Sequence, residues 1–279
     1  MTYALNFGKT NSSTFTEFQQ MLSSPQNSHL LICSMRYFVS LLSVIVLSVA
    51  AFAQSTPFKQ DSVVFFDATR NRAIPVELYV PSKEKKAKVV IVSHGYGFNK
   101  GGDNRAYSYL TEALAASGYL VASIQHELPT DDLLPLTGVP QVVRRPNWER
   151  GATNILFVIS ELKKRLPQAD YRHVTLIGHS NGGDMSMLFA HQHPTLISKV
   201  ISLDNRRMPF PRTRHPQIYS LRSSDQPADD GVLPTLEEQA AFGITVVKLP
   251  NTIHNNMDDS ANESQRKEII AYVLSFLKE

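Results

Sequence analysis

Gly178-His179-Ser180-Asn181-Gly182 fits the pattern G-x-S-x-G and directly follows the apolar run Val174-Thr175-Leu176-Ile177. The apolar run is typical of a buried strand, and residues 184–190 after the motif favour a helix. A serine between a strand and a helix lies on a sharp turn, where the neighbouring glycines let the chain fold tightly and expose the hydroxyl. Ser180 is therefore a candidate nucleophile, although the motif alone is also compatible with a glycine-rich turn.

A serine hydroxyl is a weak nucleophile unless a base accepts its proton and a third group orients that base. His254 is the candidate base, because it follows the last predicted strand and precedes the closing helix. His191 and His193 have a different explanation, since they lie at the end of the helix after Ser180, where a cation interacts favourably with the helix dipole. His179 is simply the variable residue of the motif.

Acyl transfer also requires backbone N–H groups that point at the carbonyl oxygen as it gains charge. One is expected from Asn181, directly after the candidate nucleophile. The second is expected from the loop His94-Gly95-Tyr96-Gly97, which follows the predicted strand 88–93, and Tyr96 is the preferred donor. The Tyr96 ring could also form the floor of an acyl pocket, and His94 is expected to brace the loop.

Strands and helices alternate from residue 58 onwards without an internal repeat or linker, which predicts one α/β domain with a mostly parallel sheet. The first two strands are expected to form an antiparallel hairpin. The predicted strands are 62–67, 74–80, 88–93, 119–124, 174–177, 199–203, 217–221 and 244–249. The predicted helices lie near 104–117, 147–166, 182–191, 236–242 and 263–278.

Residues 126–146 form the one long irregular stretch, and they leave the carboxyl end of a strand, where open α/β sheets place their sites. This segment could shape a pocket, or its apolar run Leu133-Leu134-Pro135-Leu136 could pack under a long loop. The stretch between Leu203 and Gln217 is too short for an inserted helical cap. An open site is therefore expected.

The chain resembles the α/β-hydrolase superfamily, and within it the branch of platelet-activating factor acetylhydrolases, dienelactone-hydrolase-like enzymes and cutinase-like polyester hydrolases. The resemblance covers nearly all of residues 54–279. It lies in Ser93-His94-Gly95-Tyr96-Gly97, Leu114-Ala115-Ala116-Ser117-Gly118-Tyr119-Leu120-Val121-Ala122, the motif around Ser180, Leu203-Asp204 and His254.

The resemblance implies an α/β-hydrolase fold, with a mostly parallel eight-stranded sheet flanked by helices and no inserted cap domain. It also implies a serine esterase that cleaves small-molecule carboxylic esters through an acyl-enzyme, without a cofactor or a metal. Dienelactone hydrolases differ, since they use a cysteine where this chain has Ser180. A serine peptidase or amidase on the same fold, or a non-catalytic binding protein, are the alternatives.

Two aspartates are candidates for the acid that orients His254. The spacing of Asp225 from Ser180 and His254 resembles that of the cutinase-like enzymes, whereas Leu203-Asp204 followed by Met208-Pro209 resembles the platelet-activating factor acetylhydrolases. Asp225 is the preferred acid of the two. The other roles open to them are a turn cap for Asp225 and, for Asp204, an ion pair with Arg206 or Arg207.

The amino-terminal region has the order of a secretory signal peptide. Met35-Arg36 opens an apolar run over residues 37–52, which ends in Ala51-Phe52-Ala53, an A-x-A cleavage site. Residues 35–53 are therefore the predicted signal peptide of an exported protein, residues 1–34 a mis-called extension, and residues 54–279 the hydrolase domain. An uncleaved membrane anchor is the alternative, but the run is short for a span of about 20 residues.

The charge balance and the cysteine content exclude several classes of partner and of chemistry. The chain carries 28 lysines and arginines against 25 aspartates and glutamates, and this near balance argues against nucleic acid or another polyanion as a partner. Cys33 is the only cysteine and precedes the cleavage site, so the mature chain would hold neither a disulfide nor a thiol nucleophile. No stable membrane span would remain after cleavage.

We expect translation to start at Met35 and the exported protein to begin at Gln54, because signal peptidases cleave after an A-x-A sequence. N-terminal sequencing of the exported protein measures this directly. A mature protein that retains residues 1–34 would contradict the prediction.

Overall fold

The computed structural model describes residues 56–84 and 86–279. The predicted extension and signal peptide, residues 1–53, lie outside the described residues. Within the part of the chain that is described, no helix combines the length and the apolar character needed to cross a bilayer.

Eight strands form a single sheet in the described residues. In chain order they are β1 (Phe58–Asp67), β2 (Arg72–Pro81), β3 (Lys88–Ser93), β4 (Leu120–Ile124), β5 (Asp170–His179), β6 (Lys199–Leu203), β7 (Gln217–Arg222) and β8 (Thr245–Lys248). Their order across the sheet is β1-β2-β4-β3-β5-β6-β7-β8. β2 pairs antiparallel with both β1 and β4, whereas all the other pairs are parallel.

Helices cover both faces of this sheet. They are α1 (Ser108–Ala116), α2 (Pro140–Val143), α3 (Arg145–Arg165), α4 (Asn181–Gln192), α5 (Leu236–Phe242) and α6 (Glu263–Lys278). Successive residues of β3 face opposite sides: Ile91 joins the apolar cluster that contains Trp148 of α3. Val90 joins the cluster that contains Leu110 of α1 and Ile269 of α6. Because both faces are covered, β3 is apolar along nearly its whole length.

The carboxyl ends of the parallel strands share one edge of the sheet, and the candidate residues lie in the loops that leave from it. β3 has β4 as its neighbour on one side within the sheet and β5 as its neighbour on the other, so the direction in which successive strands are added reverses at β3. Such a reversal of strand order leaves a crevice outside the strand ends, where open α/β sheets bind their ligands.

The predicted eight-stranded, mostly parallel sheet and its antiparallel first pair are confirmed. No helix lies between β6 and β7 in this described region, so the absence of a cap there is confirmed as well. β1 begins at Phe58, ahead of its predicted start at Ser62, because its first residues pair with β2 although they lack an apolar alternation. The predicted helix 104–117 divides at Tyr107, whose φ of −126° and ψ of 33° are not helical.

The long segment between β4 and α3 is held against the rest of the domain by partly buried polar contacts. The Arg72 guanidinium forms two bonds of 2.7 Å with the Asp131 carboxylate and donates to the His126 carbonyl. Leu134 is buried, whereas Leu133 and Leu136 are 65% and 72% exposed. The apolar run therefore packs through one residue and presents two others to solvent.

Candidate active site

Ser180 lies on the turn between β5 and α4, in a backbone conformation that non-glycine residues seldom adopt. Its φ is 51° and its ψ is −117°. The turn is closely packed: a Cβ on Gly178 would clash with the Gly182 carbonyl, and a Cβ on Gly182 would clash with the Ser93 carbonyl. The glycines of the motif are thus required by close backbone contacts around Ser180.

A continuous chain of hydrogen bonds joins Ser180, His254 and Asp204. The Ser180 Oγ lies 2.9 Å from His254 Nε2, and His254 Nδ1 lies 2.6 Å from Asp204 Oδ2. Because a carboxylate accepts, Nδ1 of the histidine carries the hydrogen, which leaves Nε2 free to accept the serine proton. The arrangement can activate the hydroxyl for attack on a carbonyl carbon.

The Asp204 carboxylate is fully buried and is surrounded by donors. The backbone N–H and the hydroxyl of Ser223 donate to it at 3.0 and 2.6 Å, and Arg222 lies at 2.9 Å. Burial acts to raise the pKa of Asp204, but the hydrogen bond from His254, the charge of Arg222 and the Ser223 contacts together lower it below its ordinary value. The carboxylate is therefore ionised at neutral pH and can stabilise a protonated His254.

Asp225, the acid that spacing favours, contacts the backbone of His254 and not its ring. Its Oδ1 accepts the His254 N–H at 2.7 Å. The chain after β7 explains this placement, because Ser223 is bound to Asp204 and Ser224 donates to the Thr252 carbonyl at 2.8 Å. Residue 225 consequently reaches the loop that carries the histidine, and of the two candidate acids it is Asp204 that contacts the His254 ring.

The alternative ion pairs of Asp204 with the neighbouring arginines do not form. Arg207 pairs with Asp229, and Arg206 donates to the Gln226 side chain and to the Pro227 carbonyl. The arginine that does face Asp204 is Arg222, at the end of β7, which the sequence did not single out.

Tyr96, expected to provide one oxyanion donor, lines the same cleft of roughly 200 Å³ as Ser180 and His254. Its phenol oxygen accepts the Leu134 N–H at 2.9 Å, so the side chain anchors the long loop in addition to forming a wall. Asn181, expected to provide the other donor, is the first residue of α4. The backbone N–H groups of a first helical turn have no partner within the helix, so they are free to bind an anion.

The Asn181 side chain is fixed by a buried polar cluster that sequence reasoning missed. Its Oδ1 accepts from the Trp148 indole at 2.8 Å, and its Nδ2 donates to Glu127 at 3.0 Å and to Asn147 at 2.9 Å. Glu127 lies three residues after the last residue of β4, and a carboxylate near a strand end is the only sequence signal that could have indicated it. This cluster holds the start of α4 in place below Ser180.

His94 braces its loop in the manner expected from the sequence. Its Nε2 accepts the His126 N–H at 3.0 Å, so its Nδ1 carries the hydrogen and donates to the Gly95 carbonyl at 2.6 Å. Both ring nitrogens are thus used within the protein, and His94 is not available as a base for Ser180.

A model of the family described as BD-FAE matches residues 76–215. No curated protein matches the chain. Among solved structures, a bacterial heroin esterase superposes with a TM-score of 0.58 at 14% identity, over 85% of this chain and 89% of that one. A hyperthermophilic esterase from the archaeon Pyrobaculum calidifontis superposes with a TM-score of 0.59 at 14% identity, over 88% and 90%.

An acylaminoacyl peptidase from Pyrococcus horikoshii is similar as well, with a TM-score of 0.61 at 15% identity. The match covers 82% of this chain but only 43% of that longer one. At such identities structural similarity establishes the fold alone. The described domain therefore has the α/β-hydrolase fold that its sequence resembles.

We predict that Asp204→Asn lowers the turnover number for ester substrates by about 10⁴-fold, because the histidine loses the carboxylate that sets its tautomer and stabilises its charged form. Asp225→Asn keeps an oxygen that can accept the His254 N–H, so its turnover should stay near that of the unmodified protein. Steady-state kinetics and thermal melting of both variants measure this. A large loss in Asp225→Asn with little change in Asp204→Asn would show that the contact at the ring is not the functional one.

Proposed function

The chain belongs to the BD-FAE family, and we propose that it is a serine hydrolase that cleaves carboxylic esters through an acyl-enzyme intermediate. The observation that carries the proposal is the unbroken set of hydrogen bonds from Ser180 through His254 to a buried carboxylate. A serine on a turn of this kind, with a base and an acid aligned behind it, is the arrangement required for acyl transfer.

In this mechanism the Ser180 Oγ attacks the ester carbonyl while His254 Nε2 takes its proton. Asp204 stabilises the imidazolium that forms, and the backbone N–H groups of Tyr96 and Asn181 bind the oxygen of the tetrahedral intermediate. His254 then protonates the leaving alcohol, which leaves an acyl group on Ser180. A water molecule, activated by the same histidine, releases the acid and restores the serine.

A peptidase or amidase would use the same residues, because the nature of the leaving group is decided by the pocket and not by the triad. The fold similarity to an acylaminoacyl peptidase keeps this second function in consideration. Paired substrates with one acyl group, a nitrophenyl ester and the matching nitroanilide, separate the two functions. We expect the ester to be cleaved and the anilide to be left largely intact.

Within the superfamily, we propose that the chain lies nearer to the platelet-activating factor acetylhydrolases than to the cutinase-like enzymes. The support is the position of Asp204, which directly follows β6 and contacts His254. We further propose that the protein is exported, on the pattern of residues 35–53.

We predict that a fluorophosphonate labels Ser180 and that Ser180→Ala abolishes both labelling and ester hydrolysis. Loss of the nucleophile should lower turnover by about 10⁴-fold or more, since only oxyanion stabilisation and binding remain. Ser186→Ala is the matched control, because it removes a buried hydroxyl on the same helix that bonds only to the Gly182 carbonyl.

For both variants, intact-mass measurement detects the label and a nitrophenyl ester assay measures turnover. Full turnover in Ser180→Ala would refute the proposed nucleophile. An unmodified protein that takes up no label would favour the non-catalytic binding protein instead.

We also predict that short, soluble esters are hydrolysed without activation at a lipid surface. No cap covers the cleft in the described residues, and the long loop beside it is held by Arg72, Asp131 and the Tyr96 phenol. Rates measured across the solubility limit of a short-chain ester test this. A sharp rise in rate above that limit would show that the loop around Leu133 and Leu136 moves as a lid.

A further inference from the structure

The side chain of His179, between Gly178 and Ser180 in the motif, contacts the two other loops that form the cleft. Its Nδ1 lies 2.7 Å from the Tyr107 phenol oxygen, which in turn accepts the Gly95 N–H at 3.0 Å. Its Nε2 lies 3.1 Å from the His254 carbonyl oxygen. These bonds connect the loop expected to bind the oxyanion, the Ser180 turn and the loop of the candidate base.

The direction of every hydrogen bond in this chain is determined by its two ends. The Gly95 N–H can only donate and the His254 carbonyl can only accept. His179 must therefore carry a hydrogen on Nε2, and in its neutral form it accepts the Tyr107 hydroxyl at Nδ1. Burial lowers the pKa of His179 to about 3, assisted by the neighbouring His254, so the neutral form is present at neutral pH.

The His179 ring is also closely packed between the elements that it joins. Its centroid lies 4.7 Å from that of His254 and 5.7 Å from that of Tyr107. A Cβ added to Gly95 would lie only 2.8 Å from His179 Nδ1. The packed ring prevents the histidine loop and the oxyanion loop from moving closer together, and the hydrogen bonds would lengthen if either loop moved away.

We propose that His179 and Tyr107 are positioning residues, which set the distance between the oxyanion loop and the ring of His254. The inference rests on the proposed function, in which the two loops act on opposite sides of one tetrahedral intermediate. Because displacements of about 1 Å can cost 10²-fold in rate, a rigid spacer between the loops has direct kinetic value.

A neutral imidazole is well suited to this place. It offers one donor and one acceptor on opposite sides of a flat ring, which matches the phenol on one side and the carbonyl on the other. It also adds no charge beside His254, whose own positive charge develops during the reaction. A protonated histidine there would oppose that charge by repulsion.

The first test measures the hydrogen-bond chain without using activity. Nitrogen-15 NMR of the Ser180→Ala protein, in which the chain from Gly95 to His254 is intact, should show His179 as the neutral Nε2–H tautomer down to at least pH 5. The Nδ1–H tautomer, or titration near the ordinary histidine value, would overturn the proposal whether or not the protein is an esterase.

The second test compares Tyr107→Phe, His179→Gln and the double variant, with Tyr171→Phe as the matched control. Tyr171 is a partly buried tyrosine whose phenol hydrogen is likewise donated within the protein, in its case to the Leu166 carbonyl, away from the cleft. His179→Gln can still donate a hydrogen bond to the His254 carbonyl, so it keeps one of the two hydrogen bonds that the histidine ring makes. It also provides a second variant should Tyr107→Phe fold poorly.

We expect kcat to fall by about 10- to 100-fold in Tyr107→Phe, with KM little changed. Binding of a trifluoromethyl ketone, which captures Ser180 as a tetrahedral adduct, should weaken by the same factor. The double variant should lose hardly more than the worse single variant, because residues in one network are not additive.

Kinetics of Tyr107→Phe that match those of Tyr171→Phe, or losses that multiply in the double variant, would overturn the positioning role. The proposed function fails separately, through full turnover in Ser180→Ala.

Discussion

The backbone at Ser180 is the constraint on which the rest of the site depends. A φ of 51° with a ψ of −117° is unfavourable for a residue with a Cβ, and such strain costs about 1–3 kcal/mol. The strain is maintained because the turn is confined between β5, α4 and the end of β3. The Ser180 N–H donates to the Leu203 carbonyl at 3.0 Å, which ties the turn to the end of β6 as well. The turn therefore fixes the position of the Ser180 hydroxyl, as the proposed attack on an ester carbonyl requires.

The second constraint is the buried charge of Asp204. A carboxylate without exposure to solvent is costly unless its oxygens are bonded, and here Ser223, Arg222 and His254 together satisfy it. Two of these partners come from the end of β7, so the neighbouring strand stabilises the acid and also orients it. The same placement accounts for Asp225, which steadies the histidine loop through the backbone.

Polar side chains therefore form two layers around the cleft. Side chains of the inner layer contact Ser180, as His254 does. Side chains of the outer layer hold the helix and loops that carry the inner layer, as do the cluster around Asn181 and the bond between Tyr107 and His179. Since both nitrogens of His94 and of His179 are occupied within the protein, His254 is the histidine in the cleft with a nitrogen directed at Ser180. Of the three histidines that line the cleft in the described residues, His254 is therefore the candidate base.

The sequence by itself determined the features that depend on neighbouring residues. The alternation of strands and helices and the glycines around Ser180 indicated the sheet, its hairpin and the serine on the turn, because these patterns are local properties of the sequence. The placement of His254 after the last predicted strand also followed from chain order.

Only the tertiary structure decided which aspartate meets the histidine ring. Both candidates leave the same edge of the sheet, so spacing could not distinguish a contact at the ring from one at the backbone. The role proposed for His179 likewise depends on Tyr107, which lies 72 residues away in the chain, at the residue where the predicted helix breaks. Contacts of this kind arise from how strands and loops pack in three dimensions, and no local pattern in the sequence encodes them.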